Sequence, residues 1–252
     1  MIRRLIKLLT PVLTVFVKWY LSKPRGYRYR QIAVIVKPGV FYPGFFNSTR
    51  ILLDYVCGIE LNGKQFHEPG AGCGIISVLA ARKGAIVTAT DINPVAIQNI
   101  RENALLNNVN FSIIQSDLLT CVPLVKFDYV VINPPYYAKD PVDFSEMAWF
   151  CGADFDYYRK LFPQLKEIFH REMMILMILS QDCDINKIKE IAGLSDFKMT
   201  LEKKIKRFGE WNEILRIERI SSQVERSLHP SIRTVANPNP NQPVYSSGHR
   251  YK

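Results

Sequence analysis

Short apolar runs alternate with amphipathic stretches through most of this chain. Lys64–Glu68, Ile86–Thr90, Phe111–Gln115, 127–132 and Met173–Leu179 are apolar runs of strand length, bounded by turn formers. Between them, Ile75–Lys83, Pro94–Asn107, Phe155–Phe169 and Ile185–Ala192 carry helical spacing. Asn93 stands as N-cap of the second of these, with Pro94 at its first position. Asn47, Ser48 and Thr49 are cap candidates for an earlier helix through Ile51, Leu52, Leu53, Tyr55 and Val56. Tyr29–Val36 reads as one strand. Lys198–Lys206 and Asn212–Ile220 read as strands joined by a turn at Phe208-Gly209-Glu210-Trp211. Strands alternating with helices and closing on a hairpin predict an α/β fold, a doubly wound and mostly parallel sheet with helices on both faces.

The two ends break this pattern. Leu5–Leu21 is apolar apart from Lys7, Thr10, Thr14 and Lys18. Lys18 cuts the run short of a membrane span, and Pro11 would kink a helix. The expectation is an arm over residues 1–30 whose helix packs on the main domain, with a basic amphipathic helix on RNA or an anionic surface as the rival. Residues 31–220 are expected to form the main domain. Residues 221–252, with Asn237-Pro238-Asn239-Pro240-Asn241, lack periodicity and read as a disordered tail.

Charge follows the same division. The net charge is +10, of which residues 1–30 supply +8 and residues 221–252 supply +3, leaving about −1 for the middle. The basicity therefore sits on the ends, and a basic arm is the candidate nucleic-acid contact. The cysteines Cys57, Cys73, Cys121, Cys151 and Cys183 include no C-x-x-C pair, which gives no metal site and no disulfide framework and fits a cytoplasmic protein. His67 lies on an expected strand and reads as core rather than ligand.

Candidate chemistry gathers at the strand ends. Asn133-Pro134-Pro135-Tyr136 follows the apolar run 127–132. Its prolines remove two donors and stiffen the loop, leaving an amide, two carbonyls and a ring in fixed relation. Such a set can grip a planar NH2 group. The Asn133 side-chain oxygen and the Pro134 or Pro135 carbonyl each accept one hydrogen, and the Tyr136 ring stacks on the plane. Glu68-Pro69-Gly70-Ala71-Gly72-Cys73-Gly74 ends one strand and opens a helix, with glycines at alternate positions that let a ligand approach the backbone. Ile75 stands where a dinucleotide fingerprint would place its last glycine, so the loop suits a ligand without pyrophosphate. Asp91 ends the next strand, where a carboxylate can accept from both hydroxyls of a ribose, and Asp117 follows the third. All four features lie at the carboxyl ends of expected strands, the edge where open α/β sheets bind ligands.

In this order and spacing, Glu68–Gly74, Asp91, Asp117 and Asn133–Tyr136 resemble class I S-adenosylmethionine-dependent methyltransferases. The N-P-P-Y form is similar to the branch that methylates amino and amide nitrogens, HemK-like proteins of the small-methyltransferase group above all. Gly152-Ala153-Asp154-Phe155-Asp156-Tyr157-Tyr158-Arg159 resembles the G-x-D-G-L-x-x-Y-R segment of that group, with Phe155 in place of a glycine. Thr49 matches a threonine near the cofactor, preceded here by Phe45, Phe46 and Asn47 rather than by acids. The resemblance implies a Rossmann-like, seven-stranded fold and S-adenosyl-L-methionine as cofactor. It assigns cofactor contacts to Thr49, Glu68, Gly70, Ala71, Gly72, Cys73, Gly74, Asp91, Ile92, Asp117, Leu118 and Asn133, and substrate handling to Asn133, Pro134, Pro135 and Tyr136. The expected substrate is a protein glutamine, as in a release factor. An RNA adenine-N6 or guanine-N2 methyltransferase and a non-catalytic cofactor-binding scaffold are the alternatives. The segment from Tyr137 to Cys151, with Lys139, Asp140, Asp143 and Glu146, is expected to face the substrate; no metal is expected, and a monomer is.

Overall fold

The computed structural model describes residues 19–123 and 125–220. The bulk of the expected N-terminal helix and the whole expected tail lie outside the described residues. No helix among the described residues is long and apolar enough to cross a membrane.

One sheet of seven strands organises the domain, in the order β5-β4-β3-β6-β7-β9-β8. The strands are β3 (Gln65–Pro69), β4 (Ile86–Asp91), β5 (Ser112–Gln115), β6 (Tyr129–Ile132), β7 (Met174–Ser180), β8 (Phe197–Arg207) and β9 (Glu210–Arg219). β3 through β7 are parallel, and β9 runs antiparallel between β7 and β8. Five helices are described: α1 (Asn47–Cys57), α2 (Ile75–Arg82), α3 (Pro94–Leu106), α4 (Asp156–Ile168) and α5 (Ile185–Gly193). The alternation read from the sequence is therefore the observed one.

β7 shows why the middle of the sheet is apolar throughout. Leu176 and Ile178 join a core with α1 and α2, while Ile175, Met177 and Leu179 join a second core with α4 and α5. A strand buried on both faces has no polar alternation to display. From β3 the chain winds outward to β4 and β5, then returns to place β6 on the other side of β3. That reversal opens a crevice at the carboxyl ends of β3 and β6, the switch point where such sheets hold ligands.

One expected strand proved to be two. β1 (Arg25–Tyr29) and β2 (Ile32–Val36) form an antiparallel hairpin that turns at Arg30-Gln31. Arg30 takes a left-handed φ of 51° without the glycine or asparagine that would announce such a turn. The hairpin is held by α3 through an unusual device. Asn99, Asn103 and Asn107, one turn apart, accept from Lys37, Ile35 and Ala33 N–H at 3.1, 2.9 and 3.3 Å. Their Nδ2 groups donate back to the carbonyls of Ile35, Ile35 and Ala33. A column of amides on a helix thus substitutes for the neighbouring strand that β2 lacks on this side.

Candidate active site

The loop after β3 is built on backbone geometry that side chains resist. Gly70, Gly72 and Gly74 take φ of 69°, 57° and 76°. At Gly74 a Cβ would also stand 3.0 Å from Ile100 Cγ2, so α2 meets α3 closely there. The loop is tied to β4 on both sides. Ala71 N–H donates to Thr90 O at 2.9 Å, and Gly72 N–H donates to Asp91 Oδ2 at 2.8 Å. Asp91 Oδ1 accepts from Asn93 N–H at 2.9 Å. The carboxylate therefore joins the glycine loop to the cap of α3, and burial raises its pKa against those backbone donors.

Glu68 is buried, and Ser77 donates to its Oε2 from both N–H and hydroxyl. Burial pushes its pKa up to about 8. His67 beside it is packed in the core on the Phe127 ring, and burial lowers its pKa to about 4. These shifts oppose each other. Glu68 binds its proton more tightly folded than unfolded, so its contribution is complete below pH 4.5 and is lost as pH rises towards 8. His67 disfavours folding below its ordinary pKa of 6.5. Between about pH 6.5 and 8 the Glu68 effect stands clear of it. The cofactor-free protein is expected to lose thermal stability across that window, and Glu68→Gln to flatten the loss. Differential scanning calorimetry at the two pH values checks this, and equal slopes in the two proteins would refute it.

Asp117 is more open and forms an ion pair with Lys160 of α4 at 2.6 Å. Leu118 beside it takes a left-handed φ of 56°, its carbonyl accepting from Thr90 Oγ1 at 3.2 Å.

The Asn133–Tyr136 segment leaves β6 directly opposite the glycine loop. Asn133 Nδ2 donates to Thr49 Oγ1 at 3.2 Å, and its Oδ1 accepts from the Tyr136 hydroxyl at 3.2 Å. Two hydroxyls, of Thr49 and Tyr136, thus hold the amide from its two ends. The Pro135 carbonyl accepts from the buried Tyr158 hydroxyl at 2.9 Å. Pro134 and Pro135 both line the cavity, and the Pro135 carbonyl already holds this one donor. Tyr158 was missed as a site residue because it lies 23 positions away; the likeness of its surrounding segment was the one available signal. In that segment Phe155, standing where the resembling pattern has a glycine, takes a left-handed φ of 60°, a conformation glycine adopts freely.

One cavity of about 460 Å³ joins these groups. Its lining includes Thr49, Glu68, Gly70–Gly74 without Gly74 itself, Asp91, Ile92, Asp117, Leu118 and Asn133–Tyr136. Aromatic residues close it: Phe41, Phe46 and, from the segment expected to face the substrate, Trp149 pack with ring centroids 4.9–5.4 Å apart. The Trp149 carbonyl accepts from both Tyr136 and Tyr137 N–H at 3.1 and 3.0 Å, so the segment 137–151 folds back over the Asn133 turn. The glycine approach, the carboxylates at the strand ends and the apolar far wall fit a nucleoside bearing a sulfonium chain, and S-adenosylmethionine fits the donor set.

Comparison with known proteins agrees with this geometry. Residues 31–151 match the methyltransferase small domain family. A relative from Methanocaldococcus jannaschii, named for protein N5-glutamine methylation, is 46% identical over 79 residues, 31% of this chain and 40% of the relative. The ribosomal protein L11 methyltransferase of Porphyromonas gingivalis is 33% identical over 107 residues, 40% of this chain and 36% of the relative. The chain thus spans less than half the length of these curated relatives. Among solved structures, the Thermus thermophilus 16S rRNA N2 G1207 methyltransferase in complex with AdoMet and guanosine superposes with a TM-score of 0.57 at 17% identity, over 78% of this chain and 50% of that one. The fold is that of class I methyltransferases.

Proposed function

We propose that this protein is an S-adenosylmethionine-dependent N-methyltransferase of HemK-like type whose acceptor is a planar NH2 nitrogen, the side-chain amide of a polypeptide glutamine. One observation carries the reading: Asn133 and Pro134 stand at the end of β6 and line the same cavity as the glycine loop after β3. The bound cofactor supplies an electrophilic methyl carbon on a sulfonium. The work of the chain is to place a weak nucleophile in line with it and to exclude water. Two acceptors on the NH2 hydrogens draw them from the amide plane and free the nitrogen lone pair. That pair forms the new N–C bond as the S–C pair returns to sulfur, and the surplus proton leaves to solvent. Asn133 must share its oxygen between the Tyr136 hydroxyl and the acceptor nitrogen, or release the hydroxyl when substrate enters.

The cavity mouth supports a polypeptide. Tyr137, Phe144 and Met147 line it and are exposed, and in the segment 137–151 that carries them the acids Asp140, Asp143 and Glu146 outnumber Lys139. Apolar side chains beside carboxylates suit a peptide better than a phosphate backbone. The name of the Methanocaldococcus relative supports the same choice. The second reading, an exocyclic amino group of an RNA base, draws on the rRNA methyltransferase whose fold is shared. Incubation with methyl-labelled cofactor and cell lysate separates them: protease is expected to remove the label, and ribonuclease removal would replace the first reading with the second.

Cofactor binding has its own test. S-adenosylmethionine at about a hundred times its Kd is expected to stabilise the protein by about 2.7 kcal/mol, read as a rise in Tm. No rise at millimolar cofactor would favour a scaffold without this ligand.

A further inference from the structure

The β8–β9 hairpin ends in a feature that the methyl-transfer site does not use. Its turn, Arg207-Phe208-Gly209-Glu210, holds both central residues at positive φ, 47° for Phe208 and 83° for Gly209. Asparagine is the residue that relaxes the first position of such a turn, and a bulky aromatic there is strained. The Phe208 ring gains no burial in exchange, being 88% exposed. A strained residue that the fold does not reward is a candidate for function.

Its surroundings say what for. Arg207 lies 5.2 Å over the Phe208 ring, and the ammonium groups of Lys204 and Lys206 lie 5.5 and 5.4 Å over Trp211, itself 40% exposed. Lys204 is balanced by Glu213 at 2.6 Å. Lys203, Lys206 and Arg207 have no ion pair among the described residues. Two open rings interleaved with unbalanced cations match the chemistry of single-stranded nucleic acid, where rings stack on bases and cations meet phosphates. This charge stands on the domain itself, where the near-neutral total had hidden it.

The hairpin tip is also fixed beside the cavity. Asn47 at the start of α1 donates from Nδ2 to Arg207 O at 3.2 Å and to Glu210 Oε2 at 2.9 Å. Two residues on, Thr49 orients Asn133.

We infer that the tip of the β8–β9 hairpin, through Phe208, Trp211, Lys206 and Arg207, is a docking surface for single-stranded RNA. The inference is independent of which nitrogen is methylated, because docking is measured without cofactor or transfer.

The test uses the full chain and a fluorescein-labelled single-stranded RNA oligonucleotide, read by anisotropy over a range of salt. Phe208→Asn removes the ring and relaxes the turn, so a Tm at or above the parent's shows the fold intact. It is expected to weaken binding at least about fivefold with the salt slope unchanged, as loss of one stacked base does. The double variant Lys206→Ala/Arg207→Ala is expected to lower the slope of log affinity on log salt by about 1.4, two phosphate contacts on a single strand. Parent-like binding by both variants would overturn the proposal and move any RNA contact elsewhere, the basic residues of 1–30 first. Vesicles containing phosphatidylserine serve as the other polyanion. Loss of vesicle binding in the variants with RNA affinity unmoved would overturn the proposal in favour of a lipid surface.

Discussion

Asn133→Ala is expected to lower methyl transfer about 10²- to 10³-fold, the usual cost of deleting one preorganised polar contact to a transition state. In the proposed reaction the amide oxygen is one of two acceptors for the substrate NH2, and a shorter side chain leaves nothing in its place. Cofactor affinity is expected to change little, because the glycine loop and Asp91 are held by β3, β4 and α3 rather than by Asn133. The loss should therefore fall on kcat, with the thermal shift from S-adenosylmethionine retained. Thr49→Val separates orientation from chemistry. It removes the hydroxyl that accepts from Asn133 Nδ2 at 3.2 Å and leaves the amide free to turn over. Its expected effect is smaller, about twofold, since half of the amide orientations still present oxygen. Asn133→Ala turning over within about tenfold of the parent would remove Asn133 from the reaction.

The parts of this site legible in the sequence are those that the strand ends dictate. A glycine loop, Asp91 and Asn133 each terminate an apolar run, and parallel pairing then brings them to one edge whatever else the chain does. The apolar run 127–132 likewise had to be interior, since it is buried on both faces. What escaped notice was made by contacts between distant positions. Tyr158 ties down the Pro135 carbonyl, yet 23 residues separate it from Pro135. The Phe41, Phe46 and Trp149 wall needs two loops far apart in the chain, one before α1 and one after β6. Arg30 turns a hairpin in a left-handed conformation for which its residue type gives no warning, so a single strand was read through it. In Phe155 the sequence did carry a signal. A large residue where the resembling pattern has a glycine marks a position that can stay left-handed at a cost, and the backbone there is left-handed.

Asn103→Ala is expected to be the most destabilising single change outside the core hydrophobics, about 3 kcal/mol. Its side chain is fully buried, with 1% exposed. It accepts from Ile35 N–H at 2.9 Å and donates to the carbonyls of Ile35 and Cys73, each at 2.9 Å. Alanine leaves a part-buried donor of β2 and a buried carbonyl of the glycine loop without their partner, together about 2–3 kcal/mol, and opens a small void besides. Ile35 O keeps its bond from Asn99, which is why the total is less than three lost bonds. In a domain of this size about 3 kcal/mol lowers Tm by about 6–12 °C. Asn107→Ala removes the end of the same column, where the side chain is 8% exposed and water can replace part of what is lost. It is expected to cost about 1 kcal/mol. The two variants also differ in function. Asn103 alone of the three reaches the glycine loop, through Cys73 O, so its loss should weaken S-adenosylmethionine binding while Asn107→Ala leaves it unchanged. Thermal melts with and without cofactor read both effects. Equal Tm losses in the two variants, or an unchanged cofactor shift in Asn103→Ala, would show that the amide column supports the β1–β2 hairpin without reaching the site.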